Sequence, residues 1–310
     1  MKRVCLALLL AAFIAPVFSQ KGNHPFAGRW DLTVTTTTST YPSWMEFAEK
    51  DGQPEVRIVG RVASVHPATD VKRDGSRLSF TTSEWFGKDI NVTWAIDDKG
   101  ATLAGVQKRA DGVEGRVTGV HAPALHRTAP AAWTNPEPLF NGKDLTGWAP
   151  DEPSKNHWKA QAGELVNEKA GANLRTTRKF DDFKLHVEYN CPRDGNSGVY
   201  LRGRYEIQVE YEPAGKNDKF HGMGSVYGFL APAVDIPPRP GQWESYDVTL
   251  VGRTVTVARN GVTIIDNQEI RGITGGAIDS REGEPGPLYF QGDHTGGMKY
   301  RNITVSLPRR

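Results

Sequence analysis

The chain consists almost entirely of short alternating segments, and this pattern constrains its fold more than any other feature. β-branched and aromatic residues recur at every second position in short runs, and no helical periodicity separates them. Turn signals such as Asp51-Gly52, Asp74-Gly75 and Asn260-Gly261 lie between the runs. Many short antiparallel strands must close into barrels or pack as sandwiches, so the sequence predicts an all-β protein.

Two β-domains are predicted, with a segment rich in proline and alanine between them. Residues 24–127 open with the Gly-x-Trp motif of Gly28-Arg29-Trp30-Asp31, which resembles the start of lipocalin-type barrels, so we expect a small β-barrel or meander there. Residues 128–138 lack a strand pattern and are predicted to be a linker. Residues 139–308 contain a second series of short runs and are predicted to form a β-sandwich.

Residues 1–19 have the pattern of a signal peptide. Lys2 and Arg3 precede the apolar run Val4–Ile14, and small residues follow it, so we expect cleavage before Gln20. The run is too short for a comfortable membrane span, and Cys5 lies inside it instead of after a lipobox. The sequence therefore predicts an exported protein, periplasmic or secreted, without a membrane anchor.

Charge and cysteine content narrow the possible partners. The chain has 38 Lys and Arg against 36 Asp and Glu, and loss of Lys2 and Arg3 makes the two numbers equal. A neutral chain without a basic cluster is not expected to bind nucleic acid. Cys191 is the single cysteine beyond the signal peptide and is predicted to be a small buried residue. No cofactor motif is visible, a divalent cation held by oxygen ligands is left open, and protein partners stay unassigned.

One predicted strand in the second domain, Tyr205–Glu210, has two chemically different faces. Alternate residues of a strand point the same way, so Glu206, Gln208 and Glu210 share one face and apolar residues share the other. This pattern suits the floor of a polar cleft, and an ordinary solvated sheet face is the open alternative for the strand taken alone. The Cα atoms of Glu206 and Glu210 should be about 13 Å apart. Direct displacement by paired carboxylates needs carboxyl groups roughly 5–9.5 Å apart, so this strand alone disfavours that route.

The second domain resembles the 3-keto-disaccharide hydrolase domain family over about residues 139–307. This resemblance implies a concanavalin A-like sandwich, a jelly roll whose concave sheet holds sugar, and action on glycosides oxidised at carbon 3. It rests on the order of several short blocks, namely Leu139–Trp148, Phe180–Phe183, Gly195–Arg202, Tyr205–Glu210, Gly224–Tyr227, Gly241–Glu244, Asn260-Gly261, Gly286–Gln291 and Arg301–Ile303.

The resemblance implies that a base removes the proton at carbon 2 of a 3-keto sugar, after which the enolate expels the group at carbon 1. Glu206 or His294 could be the base or the acid, and Glu210 is a third catalytic candidate. The family's strand usually ends in Gln-x-x-Asp, but this chain has Gln208-Val209-Glu210-Tyr211, so the role of Glu210 stays open. Gln291 and His294 keep the family's pairing. Arg202 or a bound cation could stabilise the enolate oxygen.

The remaining candidates are substrate-binding residues. Aromatic rings could stack on a sugar, and amides could bind its hydroxyl groups. A non-catalytic, lectin-like carbohydrate-binding module is the alternative hypothesis for this domain. The candidates for substrate binding are Asn196, Arg202, Gln208, Tyr227, Trp243 and Gln291.

Overall fold

The computed structural model describes residues 25–62, 64–211 and 218–309. It confirms the all-β prediction, because 52% of the chain is strand and these ranges contain no α-helix. The predicted signal peptide, residues 1–19, lies outside the described residues. Within the described part of the chain, no helix is long and apolar enough to cross a membrane.

The N-terminal half forms one antiparallel sheet that curls into a nearly closed barrel. Consecutive strands pair with one another except at the fourth and fifth, which form the two edges, and the first strand also pairs with the last. Alternate apolar residues of the first strand, including Trp30 and Leu32, fill the interior. The strands are β1 (Gly28–Thr35), β2 (Thr40–Lys50), β3 (Gln53–Val59), β4 (His66–Pro67), β5 (Thr69–Asp74), β6 (Arg77–Trp85), β7 (Asp89–Asp98), β8 (Thr102–Arg109) and β9 (Glu114–His121).

The short strands β4 and β5 are what nearly close the barrel. They follow one another in the chain, and β4 pairs with β3 while β5 pairs with β6. Residues 66–74 therefore lie along both edges of the sheet, which leaves little of either edge unpaired. The barrel-like meander expected from the spacing of the turns is confirmed.

The C-terminal half forms two antiparallel sheets, whose apolar faces contribute to one core. The larger sheet has the order β12-β13-β22-β15-β18-β19-β20, with β10 beside β22, and the smaller has the order β11-β14-β21-β16-β17. A sandwich of sheets is thus present, and its jelly-roll connectivity stays a prediction. The strands are β10 (Glu137–Pro138), β11 (Trp148–Pro150), β12 (Trp158–Gln161), β13 (Glu164–Asn167), β14 (Leu174–Thr176), β15 (Phe183–Asn190), β16 (Asn196–Leu201), β17 (Tyr205–Glu210), β18 (Trp243–Val251), β19 (Thr254–Arg259), β20 (Val262–Glu269), β21 (Tyr289–Phe290) and β22 (Met298–Ser306).

The barrel and the sandwich share part of their core. Trp44, Val59 and Val65 of the barrel belong to the same buried cluster as the apolar residues of the sandwich. The ring of Trp44 meets the ring of Phe229 edge-on, with 5.5 Å between their centroids. Apolar burial across the boundary favours one fixed arrangement of the two units. Ion pairs cross the same boundary between Arg29 and Glu269, Arg271 and Glu46, and Arg127 and Asp182.

A buried ion pair secures the end of β17, the strand with two different faces. Arg259 donates from Nε to Glu244 at 2.9 Å and from Nη2 to the Tyr211 hydroxyl at 2.9 Å. The Tyr211 hydroxyl in turn donates to Glu244. Because Tyr211 directly follows β17, this network ties the end of that strand to β18 and β19 of the larger sheet.

Replacing Glu244 by Gln should lower the free energy of unfolding by about 3 kcal/mol, because Arg259 would stay buried without a carboxylate. Urea titration followed by tryptophan fluorescence measures this change. The matched control is Glu137→Gln, since its partner Arg178 is 47% exposed, and we expect a change of about 0.5 kcal/mol or less. Equal losses in the two variants would contradict the role given to the buried pair.

Candidate active site

The smaller sheet has a polar face built from alternate residues of neighbouring strands. The register pairs Tyr200 with both Glu206 and Tyr289, and it pairs Gly198 with Gln208. Paired residues project to the same side of a sheet, so these residues form rows across one face. The other side of the same strands belongs to the core and carries Val199, Leu201, Ile207 and Val209.

A segment after β17 extends this face beyond the edge of the sheet. The amide of Gln208 donates to the carbonyl of Ser225 at 3.0 Å, and the amide of Tyr227 donates to the carbonyl of Glu206 at 3.1 Å. These bonds cover an edge that would otherwise be open. They also place Tyr227, a predicted stacking residue, directly beside Glu206.

Glu206 is withdrawn from water at the centre of the polar face. Glu206 is only 4% exposed, and burial raises the pKa of its carboxyl group to about 8. A hydrogen bond from Tyr200 acts to lower this pKa, and the carboxylates of Glu210 and Asp293 act to raise it. Its carboxyl group lies over Gly198, where any side chain would collide with it. When ionised, such a dry carboxylate is a stronger base than one in water.

Glu210 is held by the amides of two predicted substrate-binding residues. Gln208 donates from Nε2 to one carboxylate oxygen at 2.7 Å, and Asn196 donates from Nδ2 to the other at 3.1 Å. This arrangement favours a positioning role for Glu210. The Oε1 atoms of Gln208 and Gln291 are buried without a hydrogen-bond partner among the described residues, so they are available as acceptors for a ligand.

His294 lies at the exposed border of the polar face and is paired with Asp293. The Nδ1 atom of His294 is 2.7 Å from Asp293 Oδ1, and the His294 side chain is 48% exposed. Partial burial acts to raise the pKa of Asp293, but the hydrogen bond and charge of His294 outweigh it and lower that pKa. The amide of Gly292 donates to Asn173 and the amide of Asn196 donates to Thr295, so both ends of this loop are fixed.

Tyr200 and Tyr289 complete the polar face and were not among the predicted site residues. Their rings meet edge-to-face with centroids 4.7 Å apart, and the Tyr200 hydroxyl donates to the carbonyl of Gly275 at 2.9 Å. Burial raises the pKa of both phenols well above 10, so both remain hydrogen-bond donors at neutral pH. The available signal was alternation, because Tyr200 has the same parity along β16 as Asn196.

The structure places two predicted substrate-binding residues away from this face. Arg202 is fully buried and donates to the carbonyl of Gly252 at 2.7 Å and to the hydroxyl of Tyr205, which lies on the core side. It cannot stabilise an enolate on the polar face, so that prediction is corrected. Trp243 lies on the larger sheet, where the guanidinium of Arg301 is 4.0 Å from its ring centroid. The next residue along β18, Glu244, is buried on the core side, so Trp243 faces outward and away from the site.

Neither a metal cluster nor a reactive thiol accompanies the polar face. In residues 25–62, 64–211 and 218–309 there is no group of three or more His, Cys, Asp or Glu side chains that could hold a metal ion. Cys191 is buried, and burial raises its pKa to about 12, which agrees with its predicted structural role.

The fold and the site thus define a sandwich of two sheets that carries one dry carboxyl group among amides and tyrosines. Residues 135–306, more than half of the chain, match the 3-keto-alpha-glucoside-1,2-lyase-like domain family. The chain belongs to this family, and the resemblance seen in the sequence is confirmed. No curated protein sequence matches the chain.

Solved structures similar to this chain include two candidate glycosyl hydrolases from Parabacteroides distasonis. One is 26% identical, covers 58% of this chain and 92% of its own, and has a TM-score of 0.48. The other is 20% identical, covers 56% and 92%, and has a TM-score of 0.45. The β-agarase A of Zobellia galactanivorans is 9% identical, covers 60% and 97%, and has a TM-score of 0.31. These scores are low, so the family assignment rests on the family match.

Replacing Glu206 by Gln should stabilise the protein at alkaline pH. In the folded protein the pKa of this carboxyl group is about 8, whereas its ordinary value is 4.5. The stability that the neutral carboxyl group contributes is therefore fully present below pH 4.5. That stability is lost as the pH rises through the folded pKa. Gln stays neutral, so the variant should unfold at a higher temperature than the natural protein at about pH 9 and at a similar temperature at about pH 4.

Thermal denaturation at both pH values measures this difference. The control is Glu114→Gln, because Glu114 is 61% exposed and its replacement should leave the pH dependence unchanged. If the natural protein proves more stable than Glu206→Gln at about pH 9, this result contradicts the burial of a neutral carboxyl group.

Proposed function

We propose that this protein is an exported enzyme that cleaves 3-keto-glycosides by removing the proton at carbon 2 and expelling the group at carbon 1. The observation that carries this proposal is the dry Glu206 carboxyl group on the polar face of a 3-keto-alpha-glucoside-1,2-lyase-like domain. A ketone at carbon 3 acidifies the hydrogen at carbon 2. A carboxylate whose pKa is raised to about 8 is better matched to that proton than an ordinary one.

In the first step Glu206 takes the proton from carbon 2, and the electron pair of the broken C–H bond moves to form the enolate of the ketone. In the second step the enolate returns to a ketone, a double bond forms between carbons 1 and 2, and the bond from carbon 1 to the leaving oxygen breaks. Protonated His294 gives its proton to that oxygen. If water then adds across the double bond, its hydroxide joins carbon 1 and its proton returns to His294, while Glu206 returns its proton to carbon 2.

The enolate needs a hydrogen-bond donor, and with Arg202 excluded we assign this role to Tyr289. Its raised pKa keeps the phenol protonated beside a developing negative charge. The free acceptors of Gln208 and Gln291 would bind sugar hydroxyl groups. His294 suits the leaving-group acid because it is exposed at the border of the face, where the departing alcohol can leave. The hydrogen bond between Asp293 and Nδ1 would orient the ring of His294.

Purified protein incubated with a 3-keto-disaccharide should release the reducing-end sugar, and the unoxidised disaccharide should stay intact. Glu206→Gln should lower kcat by at least about 100-fold, because an amide cannot accept the proton, and His294→Ala should lower it by about 100-fold. With removal of the carbon 2 proton as the rate-limiting step, kcat depends on the ionised fraction of Glu206 and should rise with pH through about 8. Chromatography of the released sugar measures all three quantities.

Trp243→Phe is the control, since Trp243 lies on the outward side of the other sheet, and its kcat should stay within about twofold of the natural value. Unchanged turnover in both Glu206→Gln and His294→Ala would overturn the site assignment. Binding of the 3-keto-disaccharide without release of a sugar would overturn the enzymatic proposal and support a carbohydrate-binding module.

A further inference from the structure

The segment 272–278, which we call the bridging segment, lies between the barrel and the polar face. On the barrel side, Gly272 lies so close to the indole of Trp44 that any side chain there would collide with the ring. Ile273 is buried in the same cluster as Trp44. The amide of Gly276 donates to the carbonyl of Arg61 at 3.2 Å. The barrel therefore contacts this segment near both ends.

On its other side the bridging segment contacts the site directly. The amide of Glu206 donates to Thr274 Oγ1 at 3.0 Å, and the hydroxyl of Tyr200 donates to the carbonyl of Gly275 at 2.9 Å. A methyl group on Gly276 would lie 2.6 Å from the Tyr200 hydroxyl, so the backbone approaches this phenol closely. Consecutive residues of one short segment thus contact the barrel and the two central residues of the polar face.

We propose that the N-terminal barrel is a positioning device for the active site, and that Trp44 and Arg61 act through the bridging segment to hold Tyr200 and Glu206 in place. This inference rests on the proposed function of the polar face. The matched family domain covers residues 135–306 and does not include the barrel. The barrel therefore adds a wall to a site that lies wholly in the other domain.

The bridging segment affects Glu206 through burial, which is the largest cause of its raised pKa. Thr274 and Gly275 are themselves buried, and they contact the backbone amide of Glu206 and the hydroxyl of Tyr200. If the bridging segment moves away, water reaches the Glu206 carboxyl group, its pKa falls towards the ordinary value, and it becomes a weaker base.

Two variants in the full-length protein displace the bridging segment from the barrel side. Trp44→Leu removes the indole that supports it, and Gly272→Ala introduces a methyl group that collides with that indole, at a residue whose backbone does not require glycine. Each should lower kcat on a 3-keto-disaccharide by about 10- to 100-fold. Each should also lower the apparent pKa in the kcat profile from about 8 to about 7.

Arg127→Gln is the matched control, because its ion pair with Asp182 also joins the two domains but lies outside the bridging segment. It should leave kcat and its pH profile unchanged, whatever its effect on the melting temperature. On the other side of the segment, Thr274→Val removes the acceptor of the Glu206 amide and should lower kcat about 10-fold, and Thr274→Ser should restore it. Natural kcat and natural pH profiles in Trp44→Leu, Gly272→Ala and Thr274→Val would overturn the proposal.

A second readout separates failure of this inference from failure of the proposed function. The pH above which the stabilising effect of Glu206→Gln stops growing reports the pKa of Glu206 in the folded protein, without any turnover. Comparing the melting temperatures of Gly272→Ala with those of Gly272→Ala/Glu206→Gln across pH gives this value in the variant. A lowered value supports positioning by the barrel even if no 3-keto substrate is cleaved, and an unchanged value overturns it even if cleavage occurs.

Discussion

The exclusion of water from one carboxyl group is the constraint on which the rest of the site depends. A carboxylate in a dry environment is costly unless it is neutralised or hydrogen-bonded, and Glu206 is neutral over most of the physiological range because its pKa is about 8. Neighbouring groups make room for this carboxyl group and provide partners for the charges around it. Gly198 leaves room for the carboxyl group, the amides of Gln208 and Asn196 take up the charge of Glu210, and Asp293 is compensated by His294.

One strand serves both the core and the site because side chains alternate along it. In β17 the apolar alternates lie in the core of the sandwich and the polar alternates lie on the opposite face, yet all six residues are buried. Burial on both sides is unusual for an antiparallel strand, where one face is commonly solvated. Here the segment 224–227 and Thr274 of the bridging segment occupy the otherwise open edge of the strand through hydrogen bonds to its backbone. These bonds fix the strand on which the buried Glu206 lies.

Periodicity and local motifs predicted the all-β class, the barrel-like meander and the shared face of Glu206, Gln208 and Glu210, because these follow from alternation within single strands. They could not predict where Arg202 points. Arg202 directly follows β16 with a φ of 52°, and this turn conformation directs its side chain towards the core instead of the cleft. Tyr289 was missed because its place beside Tyr200 depends on the pairing of strands separated by many residues.

The two domains make different demands on the same contacts. The active site needs a carboxyl group that would be more stable as an amide, so the fold carries a local instability that other contacts must offset. The sandwich holds segment 272–278 on one side through hydrogen bonds to Gly203, Arg204 and Glu206, and Trp44 of the barrel lies against its other side. An apolar contact from a second domain is a suitable support, because it is non-directional and adds no charge near Glu206. The shared core thus explains how a barrel without an assigned site of its own can still matter to chemistry in its neighbour.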